Sequence, residues 1–278
     1  MPDIYYKTAD EISLIKESCR IIGETLAEIA KVLKPGMTGL QIDKIAEDYI
    51  RSQNADPAFK GFHGFPASLC VSVNEQVVHG IPNKIPFEVG DIVSVDCGVK
   101  KNGFYGDSAF TFAIGEISND LARLLTVTKE SLYKGIEAAV VGSRVGDIGF
   151  AVQQYAEVEH GFGIVRDLVG HGLGRSLHEP PEIPNYGRRG KGVVLREGLV
   201  IAIEPMVNLG VKDIKHLKDG WTIVTKDELP SAHYEHTLVL TKEGPITLSD
   251  HSLIEEEIKK NENLVQLIEK SSIFAPRN

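Results

Sequence analysis

Cysteine is scarce here. Only Cys19, Cys70 and Cys97 occur in 278 residues. They are odd in number and never stand as Cys-x-x-Cys, which excludes a disulfide framework and a thiolate zinc site and points to a reducing, cytoplasmic setting. No segment approaches the roughly 18 uninterrupted apolar residues of a membrane span, so no membrane association is expected. The opening MPDIYYKTADEISLIKES is charged throughout and lacks an apolar run ending in a cleavage site, so no secretory signal is expected. Nor is there a basic excess: the net charge is −9, which removes the global reason to expect DNA binding. Two local basic clusters, GRRGK at 187–191 and KHLK at 215–218, read as solvated loops, with a docking patch as the alternative.

What remains is an ordinary globular composition, 42% hydrophobic and 25% charged, long enough for one large core or two small domains. From Glu11 to Leu33 apolar residues recur at helical spacing (Ile15, Cys19, Ile22, Leu26, Ile29) until Pro35-Gly36 stops them. A second helix is expected over 39–52, followed by strands at 69–73, 92–99 and 108–114. The second half repeats that order. Helices are expected over 119–141 and 145–159, then strands at 163–169, 198–205 and 235–241. Each half also leads a strand into a His-Gly pair, His79-Gly80 and His171-Gly172. Residue identity between the halves is poor, so this is a loose structural duplication.

An α+β fold follows: two similar halves, about 11–118 and 119–248, sharing one curved and mainly antiparallel sheet with helices on its outer face. Residues 1–250 are expected to form a single domain, and 251–278 a C-terminal helical tail. Its apolar positions Ile254, Ile258, Leu264, Leu267 and Ile268 predict an amphipathic helix over 253–270 packed on the protein's own body, with a dimer contact as the alternative.

Carboxylates carry the chemistry. Asn102-Gly103 predicts a two-residue type I′ hairpin turn. Counting outward from it sets Asp96 opposite Ala109 and places Asp107 diagonally from Asp96 on the same face, with Cα atoms roughly 7–8 Å apart. Two ionised carboxylates aimed at one point repel unless a cation lies between them. Glu204 ends the apolar run LVIAI and is held extended by Pro205; Glu235 begins the apolar strand EHTLVL. Four strand-borne acids with His171 make an oxygen-rich ligand set with one nitrogen, suited to Mn²⁺, Fe²⁺ or Co²⁺. Four negative charges match two divalent cations, a known hydrolytic device.

Five stretches fix a family: GFHGFPASLCVSVNEQVVHGIP, DIVSVDCGVKKNGFYGDSAFTF, GHGLGRSLHEPPEIPNY, IAIEPM and WTIVTKDELPSAHYEHT. Over about residues 5–248 the chain resembles the type I methionine aminopeptidases, whose pita-bread fold is shared with proline aminopeptidase and prolidase. The resemblance implies that Asp107 and Glu235 bridge two metal ions (Co²⁺, Mn²⁺, Fe²⁺ or Zn²⁺), that Asp96 chelates one, and that His171 with Glu204 holds the other. It makes His79, His178 and Glu204 catalytic: Glu204 shuttles the proton, His178 donates to the developing oxyanion or neighbouring amide, and His79 bonds the scissile nitrogen. It assigns Phe62, Phe65, Cys70 and Trp221 to the walls of a methionine slot, with His63 at the rim and His79 and His178 touching substrate. The implied function is removal of the first methionine from nascent chains before a small second residue, by a monomer that associates transiently with the ribosome. A proline-directed aminopeptidase or prolidase of the same fold usually carries a larger N-terminal domain, which is not expected here. A non-catalytic peptide- or ribosome-binding relative would tend to have lost ligands, and all five are present.

Overall fold

The computed structural model describes residues 3–267. Helix α1 (Ala9–Val32) begins at Thr8, whose hydroxyl accepts from the Glu11 N–H while the Glu11 carboxylate accepts from the Thr8 N–H, a reciprocal capping box. Thr38 and Gln41 repeat the device at α2 (Gly39–Ser52). The apolar stripe of α1 (Ile15, Cys19, Ile22, Leu26, Ile29) is fully buried against the sheet of its own half.

That first half continues with β1 (Asp56–Pro57), β2 (Leu69–Val73), β3 (Gln76–Val78), β4 (Ile92–Lys101) and β5 (Phe104–Ala113). The second half again places two helices first, α3 (Asn119–Ala138) and α4 (Val145–Gln153). Short strands follow: β6 (Gly163–Ile164), β7 (Gly170–Gly172), β8 (Glu179–Ile183), β9 (Val200–Ile203), β10 (Met206–Asn208), β11 (Ile214–His216), β12 (Ile223–Thr225), β13 (Ser231–His233), β14 (His236–Thr241) and β15 (Gly244–Thr247). Helix α5 (Ser252–Lys260) is the last of these elements. Every pairing among these strands is antiparallel. The fold is the α+β arrangement expected.

The two largest ladders are β1-β4-β2 with β5 beside β4, and β15-β14-β9-β7-β8. They meet where β5 runs past residues 233–237. One direct backbone bond crosses there, from the Glu235 N–H to the Ala109 carbonyl at 3.0 Å. Hydroxyl side chains satisfy the neighbouring backbone groups: Thr237 donates to the Asp107 carbonyl at 2.7 Å, Thr111 to the His233 carbonyl at 2.6 Å, and Ser108 to the Glu235 carbonyl at 2.7 Å. Buried backbone groups require such partners when no regular ladder supplies them. The seam is therefore stitched mostly by side chains.

Several boundaries differ from the sequence reading. Helix α3 ends three residues before Val141, and α4 passes into a π-helical segment, Gln154–Glu159, rather than continuing as one α-helix. Of the strand expected over 163–169, only Gly163–Ile164 forms; Arg166 turns aside to pair with Glu157 at 2.6 Å. The tail helix stops at Lys260 instead of running to 270. Its next residue, Asn261, donates through its side-chain amide to the Ala30 and Leu33 carbonyls at the end of α1, both at 2.8 Å, and this diverts the chain. Leu264 then pairs with Ile114 as an isolated bridge, still buried but outside any helix. Ile268 and the rest of the expected tail lie outside the described residues. Ile254 and Ile258 are buried, and α5 packs on α1 as expected. Among the described residues no helix is long and apolar enough to cross a membrane.

Candidate metal centre and peptide pocket

The β4–β5 hairpin turns at Asn102 (φ 51°) and Gly103 (φ 82°), the left-handed pair a type I′ turn needs. Its register runs unbroken from Lys101↔Phe104 to Ile92↔Ala113, so Asp96 faces Ala109 and Asp107 faces Gly98. The two aspartates are the diagonal neighbours that strand parity predicts. Asp107 is buried and Asp96 half-buried.

His171 lies in β7 between two glycines, and the crowding there explains them. A Cβ on Gly170 would come within 2.3 Å of the Ala202 carbonyl oxygen, and one on Gly172 within 2.5 Å of the Pro180 carbonyl oxygen. The His171 ring places Nδ1 2.9 Å from the Gly172 carbonyl, which can only accept, so Nδ1 carries the hydrogen and Nε2 keeps a free lone pair. That Nε2 lies 3.6 Å from Glu204 Oε1 and 3.8 Å from Asp107 Oδ2. Glu204 sits between β9 and β10, its carbonyl accepting from the Asn185 side chain at 2.9 Å. Glu235, at the seam, completes the group. Ligand atoms of Asp107, His171 and Glu235 all lie within 4.8 Å of one another.

Electrostatically this arrangement is unfinished by itself. Desolvation pushes Asp96 up to about 7, against a lowering hydrogen bond from Asp107. Burial, then Glu235 and Asp96, raise Asp107 well above the carboxylate range. Glu204 and Glu235 are raised well above it too, by burial first and by neighbouring acids second. Burial lowers His171 to about 3, keeping it a neutral imidazole. Asp96 Oδ1, Asp107 Oδ1 and Glu235 Oε1 are buried without any hydrogen-bond partner. Buried carboxylate oxygens with no donor suit a cation, and oxygen donors with one imidazole suit a divalent one.

Beside the acids lies an apolar slot. Cys70 pairs directly with Asp96 across β2 and β4, so the slot shares a wall with the acid cluster. Phe65, Cys70 and Leu177 are buried together, with Phe62 and Trp221 packed against them. Phe65 and Trp221 meet edge to face at 5.1 Å between centroids. His178 bridges slot and acids, with ring centroids 4.4 Å from His171 and 5.4 Å from Phe62. His79, at φ 59°, faces Trp221 at 6.5 Å; burial, with His178 adding to it, lowers His79 to about 4. His63 is exposed against the Phe62 ring at 4.4 Å, on the outer edge of the slot.

One residue escaped the sequence reading. His233 is buried with neither ring nitrogen bonded, and its Nε2 lies 3.9 Å from Glu204 Oε2. The signal was present: His233 and Glu235 are two apart on an extended run and share a face.

The model of metallopeptidase family M24 matches residues 13–242. The chain belongs to metallopeptidase family M24. This M24 chain is 51% identical over 247 residues to the methionine aminopeptidase of Clostridium acetobutylicum, covering 88% of this chain and 98% of that one. It is 49% identical over 241 residues to methionine aminopeptidase 1 of Bacillus subtilis, covering 87% and 97%. In three dimensions it is similar to the methionine aminopeptidase of Rickettsia prowazekii, with TM-score 0.88 and 40% identity over 89% of this chain and 100% of the other. A prolidase from Pyrococcus horikoshii matches with TM-score 0.73 at 22% identity over 88% of this chain and 63% of its own, a likeness of fold. Membership of M24 implies a divalent metal, and the unpartnered acid oxygens of this chain fit one.

Proposed function

We propose that Asp96, Asp107, His171, Glu204 and Glu235 hold two divalent ions, drawn from Co²⁺, Mn²⁺, Fe²⁺ and Zn²⁺, and that the adjoining slot takes a methionine side chain. The activity is that of a methionine aminopeptidase, which removes the first residue of a peptide or nascent chain ahead of a small second residue. The observation that carries the reading is the convergence of four acids and one free Nε2 against an apolar slot.

When bound, the ions supply a Lewis acid and a water acidified to near neutral pH. The protein's own groups do the rest. Phe62, Phe65, Cys70 and Trp221 enclose the methionine thioether and exclude water from it. His178, next to both slot and acids, donates toward the carbonyl oxygen as negative charge develops there. His79 hydrogen-bonds the scissile nitrogen, and His63 guards the rim. Glu204, held by Asn185 through its backbone and flanked by His171 and His233, takes the proton from water and returns it to the leaving amine. The protein acts as a monomer in the cytoplasm and meets its substrates at the ribosome.

Assaying Met-Ala-Ser against X-Pro peptides, with and without added Mn²⁺ or Co²⁺, tests this. Metal-dependent release of methionine alone is expected. Preference for X-Pro would make the chain a proline-directed peptidase, and silence on both would make it a binding protein. Asp96→Ala and Glu235→Ala are each expected to lose turnover and metal uptake together; retained activity in either refutes the ligand assignment.

A further inference from the structure

Residues 248–251 follow the segment that the family model matches, which ends at 242, yet they are built into the seam behind the acids. Leu248 and Thr237 are joined by a backbone bond of 2.8 Å, and the Ser249 hydroxyl accepts from the Thr237 N–H at 3.1 Å. The next carbonyl, of Asp250, presses on α1 so closely that a Cβ on Gly23 would lie 2.8 Å from its oxygen. His251 is thereby driven into the interior and is 4% exposed. Its ring stacks on His236, the neighbour of Glu235, at 3.9 Å between centroids. Its Nε2 lies 3.0 Å from the Ser108 hydroxyl. Ser108 follows Asp107 and spends its own hydrogen on the Glu235 carbonyl at 2.7 Å. The hydroxyl must therefore accept from His251, so Nε2 carries the hydrogen. The chain of bonds runs His251 Nε2–H to Ser108 Oγ–H to the Glu235 carbonyl, across the backbone of two acids that converge on one point.

We propose that His251 is a positioning residue for the metal centre, orienting Ser108 so that Asp107 and Glu235 are held at the spacing a bound ion requires. This rests on the ligand assignment of the preceding section. A network behind metal ligands that is disrupted typically weakens metal affinity by about ten- to a hundredfold. A purely structural contact lowers stability and leaves the affinity of the folded protein alone.

The experiment is calorimetric titration of Mn²⁺ into the metal-free full chain, paired with a melting curve of that metal-free chain. His251→Leu keeps apolar bulk and removes the donor; it is expected to bind Mn²⁺ about tenfold more weakly or worse. His251→Gln, whose amide N–H reaches the place of Nε2, should retain wild-type affinity. Ser108→Ala should show the same loss as His251→Leu, and combining the two should add nothing, since both act through one bond. A His251→Leu variant that melts lower but binds Mn²⁺ as tightly as wild type overturns the proposal, as do losses that multiply in the double variant. Should His251→Leu not fold, Ser108→Ala with unchanged affinity overturns it equally. Asp107→Ala separates the two levels: if it too binds like wild type, the ligand assignment falls and this inference with it. If only Asp107→Ala loses binding, the assignment stands and the role of His251 does not.

Discussion

His171 and His178 stand close enough for ring contact, yet their surroundings give them different work. A carbonyl fixes the tautomer of His171 and aims Nε2 at Asp107 and Glu204. His178 faces Phe62 and reaches the surface, where a substrate can meet it. His178→Ala is accordingly expected to keep the wild-type Mn²⁺ affinity while kcat falls by about 10²-fold or more. Titration and steady-state kinetics on one preparation check this; a variant that has lost its metal contradicts the role. The acids were legible because strand parity and an Asn-Gly turn are local rules, and local rules fixed where Asp96 and Asp107 point. His233 shared that parity with Glu235. A lone histidine is ordinarily a satisfied polar group, and only the folded surroundings show that this one has no partner.

At the scale of elements, β7 depends on its glycines. Gly172→Ala would force a methyl group against the Pro180 carbonyl, a backbone atom that cannot swing aside. A loss of about 1–3 kcal/mol is expected in denaturant unfolding, the range for overpacking a tight contact. An unchanged midpoint would show that β8 can retreat. Metal affinity should suffer as well, because the same strand carries His171. Helix α1 was readable from its apolar periodicity and the Pro35-Gly36 stop, both properties of neighbouring residues; its capping box and that of α2 went unread. The tail helix was misjudged for the opposite reason: its apolar spacing continues past Lys260, but Asn261 is captured by carbonyls of α1 that lie more than two hundred residues earlier. No local pattern announces a partner that distant. The short strands of the second half were overestimated similarly, since side-chain bonds take over where ladders were expected.

For the molecule as a whole, the acid cluster sets how stability without metal depends on pH. In the folded metal-free chain, burial raises Asp96 to about 7 and raises Asp107, Glu204 and Glu235 well above their ordinary values. The folded state then binds more protons than the unfolded state, so stability falls as pH rises through those folded values. Buried imidazoles act with the other sign: His79 is lowered to about 4, and His171, His233 and His236 to about 3, from 6.5. Their share of stability is present above 6.5 and is lost as pH falls below it toward those lowered values. Melting temperatures taken in chelator should therefore decline on the alkaline side of about 6.5, and Mn²⁺ should abolish that decline by keeping the acids ionised. Parallel curves with and without Mn²⁺ would mean that the acids do not hold it.

Asp96 and Asp107 come from one half of the chain, and His171, Glu204 and Glu235 from the other. A bound ion would thus rivet two pieces of protein that, at the seam beside the acids, are sewn together mostly by hydroxyl groups. Stripping the ion should loosen the join before either core melts, and the amide of Glu235, which bonds across the seam to the Ala109 carbonyl, should be among the first to trade its hydrogen for deuterium.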